Sequence, residues 1–148
     1  MRVYIDTSVI GGYFDEEFQE WTIKLFKEFE KRIKIPVVSD LTLQELENAP
    51  KHIVTFFESI KTERIVLDTE SIQLARNYIK EKAITAKSFN DALHIATATI
   101  NRLDVLVSWN FKHIVNLDRI RLYNAVNLKN GYPLMEIRTP REILTKNE

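Results

Sequence analysis

The chain contains no cysteine, which excludes a disulfide framework, a thiolate metal site and a cysteine nucleophile; any metal must sit on oxygen or imidazole ligands. Glycine is almost as scarce. Its three copies stand at positions 11, 12 and 131, in neither the P-loop nor the G-x-G-x-x-G spacing, so nucleotide binding by those turns is excluded. No window holds 18 consecutive apolar residues, which argues against a membrane span. Met1 leads into strand-like "RVYI" without the basic, apolar and small-residue regions of a signal peptide. An excess of either charge is missing too: 21 Lys and Arg face 21 Asp and Glu. Nucleic acid could then be held only by a local basic patch, for example Lys80, Lys82 and Lys87, Lys112 with His113, or Arg119 with Arg121. Such groups serve equally as the solvated face of a helical domain. These absences together lead us to expect a soluble, cytoplasmic protein.

What is present suits one compact domain over residues 1–148, since 45% of the residues are hydrophobic and no repeat, low-complexity tract or linker divides them. Residues 2–5 read as a short buried strand, and Gly11 and Gly12 as the turn into a helix. Phe14, Phe18, Trp21, Leu25, Phe29 and Ile33 recur at spacings of 4, 3, 4, 4 and 4, which predicts one long amphipathic helix over 13–33. "IPVVS" predicts a second strand with Pro36 near its start. Ser39 or Asp40 caps a helix that Pro50 ends, and a further helix runs over 51–60. Residues 63–68 read as a strand or extended link, and a helix capped by Asp68 or Thr69 follows. "FNDALHIATATI" is apolar on most sides and predicts a central helix, while "DVLVSW", residues 104–109, reads as a strand buried on both faces. A helix over 116–129, the turn "NGYP", a strand near "LMEIR" and a short helix after Pro140 complete the chain. Strands alternating with helices predict an α/β fold, a three-layer α/β/α sandwich with a mostly parallel central sheet.

In such a sheet the functional crevice lies beyond the carboxyl ends of the strands. Two strands end there in polar side chains, Asp6 after "VYI" and Asn110 after "DVLVSW"; if the strands are neighbours, both groups face one site. Asp91 begins the most hydrophobic helix, where an unpaired charge is costly, and only Lys87 at i−4 lies within a turn of it. Glu45 stands among Leu41, Leu43 and Leu46, whereas Glu47 points about 200° away and faces solvent. Each acid also has a plainer use. Asp6 can be an N-cap, Asp91 can favour its helix N-terminus, and Glu45 can be a surface residue. His94, three residues after Asp91, reads as a hydrogen-bonded packing histidine rather than a ligand, and Asp104, at the wrong end of its strand, as a turn residue. Three converging carboxylates cannot all ionise without a cation between them. Mg²⁺ or a similar hard ion resolves the conflict at Asp6, Glu45 and Asp91, and it can also assist in-line attack on a phosphodiester.

With these residues in view, "VYIDTSVI", "VVSDLTLQELE", "SFNDALHIATAT" and "DVLVSWNFKHI" together resemble the PIN domain family, the metal-dependent ribonuclease fold of VapC-type toxins in toxin-antitoxin pairs. The resemblance covers roughly residues 1–116, and the chain from about 117 looks like a subfamily elaboration. It implies Asp6, Glu45 and Asp91 as metal acids for Mg²⁺ or Mn²⁺, with Ser8 as the small polar residue supporting the first. The fourth position, often Asp in the family, falls on the uncharged Asn110. It further implies hydrolysis of single-stranded RNA, with Lys87 and Lys112 holding phosphates, a cognate antitoxin as partner, and a homodimer.

Two other readings compete with this one. Phosphatases of the haloacid-dehalogenase kind need D-x-D after the first strand, and here Ser8 stands at the second position. The other is a PIN-fold RNA- or protein-binding module with weak or no nuclease activity, as the loss of an acid at Asn110 would allow.

Overall fold

The computed structural model describes residues 1–146. Its elements follow in the order β1 (Arg2–Ile5), α1 (Thr7–Gly12), α2 (Gln19–Glu30), β2 (Ile35–Ser39), α3 (Asp40–Leu46), α4 (Lys51–Glu58), β3 (Glu63–Ile65), α5 (Thr69–Lys80), α6 (Phe89–Ile100), β4 (Val105–Val107), α7 (Leu117–Lys129) and β5 (Ile137–Arg138). Short 3-10 turns cover Ala86–Ser88 and Pro140–Ile143. The five strands form one sheet in the order β3-β2-β1-β4-β5, and every pairing is parallel.

Alternation along the strands makes the layers. Tyr4, Val37, Leu106 and Ile137 face a core built with α5, α6 and α7, while Val3, Ile5, Val38, Val105 and Val107 face one built with α1, α2 and α4. A strand covered on both faces has no wet side, which is why "VYI" and "VLV" are uninterrupted apolar runs. Full burial of each such residue contributes roughly 1.5–3 kcal/mol. β1 and β4 together therefore make a rigid base for polar groups at their ends. The expected α/β/α sandwich is what forms, with a sheet that is wholly parallel.

The helix expected over 13–33 is shorter, α2 (Gln19–Glu30), and a separate helix, α1, precedes it. α1 starts immediately after Asp6 and runs through both glycines of the expected turn. A Cβ on Gly12 would lie 2.8 Å from Trp109 Cδ1, so this glycine serves close helix packing. Residues 13–18 then form turns in which Asp15 Oδ1 accepts from the Glu17 N–H at 2.9 Å, leaving Phe14 outside any helix and α2 starting at Gln19. α2 ends where Arg32 takes φ 59° and the Ile33 N–H donates back to Glu28 O, an αL stop made without glycine. Lys82 and Arg102 end α5 and α6 in the same way. The strands expected over 63–68 and 104–109 are shorter as well, at three residues each. Asp104 accepts from the Arg2 N–H at 2.6 Å, the turn role expected of it.

Candidate active site

β1 lies at the centre of the sheet. The chain leaves it toward β2 and β3 on one side and returns through β4 and β5 on the other. The reversal between β1 and β4 is the topological switch point, where a parallel sheet opens a crevice at its carboxyl edge. Ile5 pairs with Val107, which sets Asp6 beside Ser108 and brings both expected strand-end groups to one edge.

Asp6 is buried, 4% exposed. Its Oδ1 accepts from the Ser8 hydroxyl at 2.6 Å and the Val9 N–H at 3.2 Å, and its Oδ2 accepts from the Ser108 hydroxyl at 2.5 Å. It is thus also the N-cap of α1. Capping and a site role coincide on one carboxylate. Burial pushes this carboxyl above its ordinary value, and nearby His94 with the three hydrogen bonds restrains the rise only in part. Moving an ion out of water costs several kcal/mol even in relaxed proteins, so the apolar strand beneath Asp6 holds a group that does not favour its own position.

Glu45, on α3, joins the segments that carry the other two acids. Its Oε1 accepts from the Thr7 hydroxyl at 2.5 Å, next to Asp6, and bonds His94 Nε2 at 2.6 Å, one turn beyond Asp91 on α6. Burial alone would raise the Glu45 carboxyl, but the His94 and Thr7 contacts outweigh it and hold it below the ordinary carboxylate range. His94 is 2% exposed; its Nδ1 meets the Tyr4 hydroxyl at 2.6 Å, which in turn meets Ser39 Oγ at 2.8 Å. An ionised carboxylate only accepts, so Nε2 carries the proton toward Glu45. In the neutral ring Nδ1 then accepts from Tyr4, and Tyr4 accepts from Ser39. His94 is the hydrogen-bonded histidine that was expected, and Glu47 is exposed as the contrast with Glu45 requires.

Asp91 is partly buried. Burial pushes its carboxyl up, His113 and His94 oppose the rise, and the negative charges of Asp6 and Glu45 add to it. Asp91 therefore feels both of the other acids. No hydrogen bond is among the influences on Asp91, and both hydrogen bonds to Glu45 end on Oε1, leaving Oε2 open.

Ser8 supports Asp6 directly and also accepts from the Trp109 N–H at 2.9 Å. Asn110 sits at the shared edge, but its Oδ1 accepts from the Lys112 and His113 N–H groups at 3.2 and 2.9 Å. The Asn110 amide oxygen is thus committed to closing a turn. Lys87 and Lys112 are exposed, on the turns before α6 and after β4. The sequence does not single out Ser108, although its place two residues before Asn110 at a strand exit is the available signal. In the sequence His113 reads only as a basic group beside Lys112. It faces Asp91 closely enough to lower it, and its Nδ1 is buried with no hydrogen-bond partner.

Among the described residues no group of three or more His, Asp or Glu converges into a ready-made metal cage. The donors nonetheless suit a hard divalent ion: oxygen ligands, two carboxylates with open oxygens, and mutual repulsion that a cation relieves. Mg²⁺ retains several waters and needs few direct carboxylates, so a fully closed protein cage is not required.

These features define the class as an α/β/α protein with a carboxylate edge at its switch point. The PIN domain model matches residues 3–112, and the chain belongs to the PIN domain family, whose members are in general nucleases. The fold is similar to a crystal structure of VapBC2 from Rickettsia felis bound to a DNA fragment from their promoter. The TM-score is 0.62 at 16% sequence identity, over 94% of this chain and 98% of that one. None of the curated proteins matches the chain in sequence. Among the described residues no helix is long and apolar enough to cross a membrane.

Proposed function

We propose that this chain is a metal-dependent endoribonuclease that hydrolyses phosphodiester bonds of single-stranded RNA, and that it is the toxin of a type II toxin-antitoxin pair. The observation that carries the reading is the bridging position of Glu45, bonded on one side to Thr7 beside Asp6 and on the other to His94 on the helix of Asp91. Asp6, Glu45 and Asp91 would hold Mg²⁺ or Mn²⁺. When bound, such an ion lowers the pKa of a water and offsets the oxyanion charge of an in-line displacement. Ser8 and Ser108 keep Asp6 aimed along the edge, and His94 keeps Glu45 turned toward Asp6. Lys87 and Lys112 flank the edge as exposed cations available to RNA phosphates.

The similarity to the VapBC2 structure supports a cognate antitoxin as partner. We read the chain as one PIN-like domain, elaborated from about residue 117, that forms a homodimer and works in the cytoplasm. A second reading, a PIN-fold RNA- or protein-binding module with weak or no cleavage, is favoured by the capping use of the Asn110 oxygen.

Cleavage of a mixed single-stranded RNA pool in Mn²⁺, Mg²⁺ and chelator separates the two. The nuclease reading expects metal-dependent cleavage that is lost in Asp91→Asn and Glu45→Gln and retained in Glu47→Gln. Metal-dependent cleavage that persists in Asp91→Asn would remove the assigned site. Binding of RNA or a protein partner by a folded chain that cleaves nothing would establish the second reading.

A further inference from the structure

Both tryptophans of the chain line one pocket. It encloses about 370 Å³ between the start of α2, the turn after β4 and the 3-10 turn at residues 140–143, within the roughly 300–1,000 Å³ range of small-ligand sites. Its inner wall is rigid. Trp109 is buried against Gly12, its Nε1 donates to Thr22 Oγ1 at 2.9 Å, and Phe18 stacks on it with centroids 4.4 Å apart and planes at 17°. The rim is open. Phe111 is 49% exposed and meets Phe18 and Trp109 only at tilts of 42° and 52°, more than 6 Å away. The Arg141 guanidinium lies 4.8 Å over the Trp21 ring.

A single exposed Phe is ordinary, but this one stands on the segment that builds the carboxylate edge. Ser108 bonds Asp6, the Trp109 N–H donates to Ser8, and Phe111 follows Asn110. Pocket and edge thus share residues 108–111. The pocket also carries one cation and one anion, Arg141 and Glu17, so it lacks the positive field that selects a phosphate. The exposed Phe111 ring, with an Arg plane and a carboxylate acceptor beside it, matches a flat, neutral ring bearing N–H groups.

The geometry points to a nucleobase subsite: this pocket stacks the base of a nucleotide neighbouring the phosphate that reaches the carboxylate edge. The subsite deepens the ribonuclease reading and rests on it for the position of that phosphate. Because both tryptophans line the pocket, intrinsic emission reports its occupancy.

Full-length protein in chelator is titrated with RNA hexamers of one base type and with an abasic ribose-phosphate hexamer of equal charge. The base-bearing chains are expected to quench tryptophan emission and the abasic chain not to. Phe111→Ala is expected to weaken binding roughly 5- to 150-fold, and Phe111→Tyr, which keeps the ring, to restore it; circular dichroism checks that both fold. Equal quenching by both polymers, unchanged affinity in folded Phe111→Ala, or quenching by a protein partner and by no RNA overturns the subsite. A parallel cleavage assay keeps the two ideas apart. Metal-dependent cleavage without base-dependent quenching sinks the subsite alone, whereas base-dependent quenching without cleavage upholds the subsite and sinks the nuclease.

Discussion

His94 Nε2 lies 2.6 Å from Glu45 Oε1 across 49 positions of sequence, and the ring's other nitrogen is held by Tyr4 at 2.6 Å. Both contacts sit within the layer between sheet and helices, so the imidazole fixes where the Glu45 carboxylate points. His94→Ala leaves Tyr4 and Glu45 short of a partner beside a new cavity. We expect a loss of about 2–4 kcal/mol, read as a Tm fall on the order of 5–10 °C, with a larger relative loss of RNA cleavage. An unchanged Tm would show that the chain from Ser39 to Glu45 contributes nothing to folding.

Asp6 and Asp91 are both raised by burial. Folding therefore takes up protons between each group's unfolded and folded pKa, and stability falls as pH rises through that window. Above it the ionised carboxyls oppose folding. Asp6→Asn and Asp91→Asn, neutral at every pH, should melt in chelator at or above the wild-type Tm near neutral pH, with the difference vanishing in acid. Mn²⁺ or Mg²⁺ should raise the wild-type Tm, by about 2.7 kcal/mol of stability at a hundred times Kd, and leave both variants unmoved. Calorimetric scans with and without metal check this, and an equal metal shift in Asp91→Asn would remove that residue from the site.

The adjacent glycines make a paired test. A Cβ at Gly12 would fall 2.8 Å from Trp109 and 3.0 Å from Thr22 Oγ1, while one at Gly11 would meet nothing within 4 Å. Gly12→Ala should cost about 1–3 kcal/mol through overpacking, whereas Gly11→Ala should be neutral or stabilising by up to about 1 kcal/mol. Urea midpoints of the two variants should move apart, and a common shift would contradict the packing.

Glu28 accepts from Lys34 Nζ at 2.6 Å and from the Thr145 hydroxyl at 2.5 Å. Burial would raise this carboxyl, but the Lys34 and Thr145 contacts outweigh it and lower it. A depressed carboxylate stabilises above its unfolded pKa and ceases to as pH falls through the folded one. Glu28→Gln leaves buried Lys34 without its counter-charge and should cost on the order of 3 kcal/mol at neutral pH. The gap from wild type should narrow below the ordinary carboxylate range. Denaturant titrations across that range check the sign, and a constant gap would show that the pair does not titrate with folding.

Much of the candidate site was legible because local chemistry marks it. Asp6 follows a run too apolar to end in a charge by chance, Glu45 differs from Glu47 by helical phase, and Asp91 opens a helix with no other acid in its first turns. The helix expected over 13–33, which forms only over Gln19–Glu30, shows where periodicity misleads. Phe18 and Trp21 do sit against apolar neighbours, but across a turn that Asp15 closes, and a repeat of apolar residues does not record a break in the backbone.

The sequence by itself determined the alternation of strand and helix, the doubly buried central strands and the polar groups Asp6 and Asn110 beyond their ends, because periodicity and the cost of burying charge act on neighbours along the chain. Only the tertiary structure decided that Glu45 meets Thr7 and His94, that Ser108 holds Asp6, that the Asn110 oxygen closes a turn, and that both tryptophans line one pocket. Those relationships depend on the order in which strands pair and on the directions of side chains across the sheet, and contacts between residues tens of positions apart leave no period in the sequence.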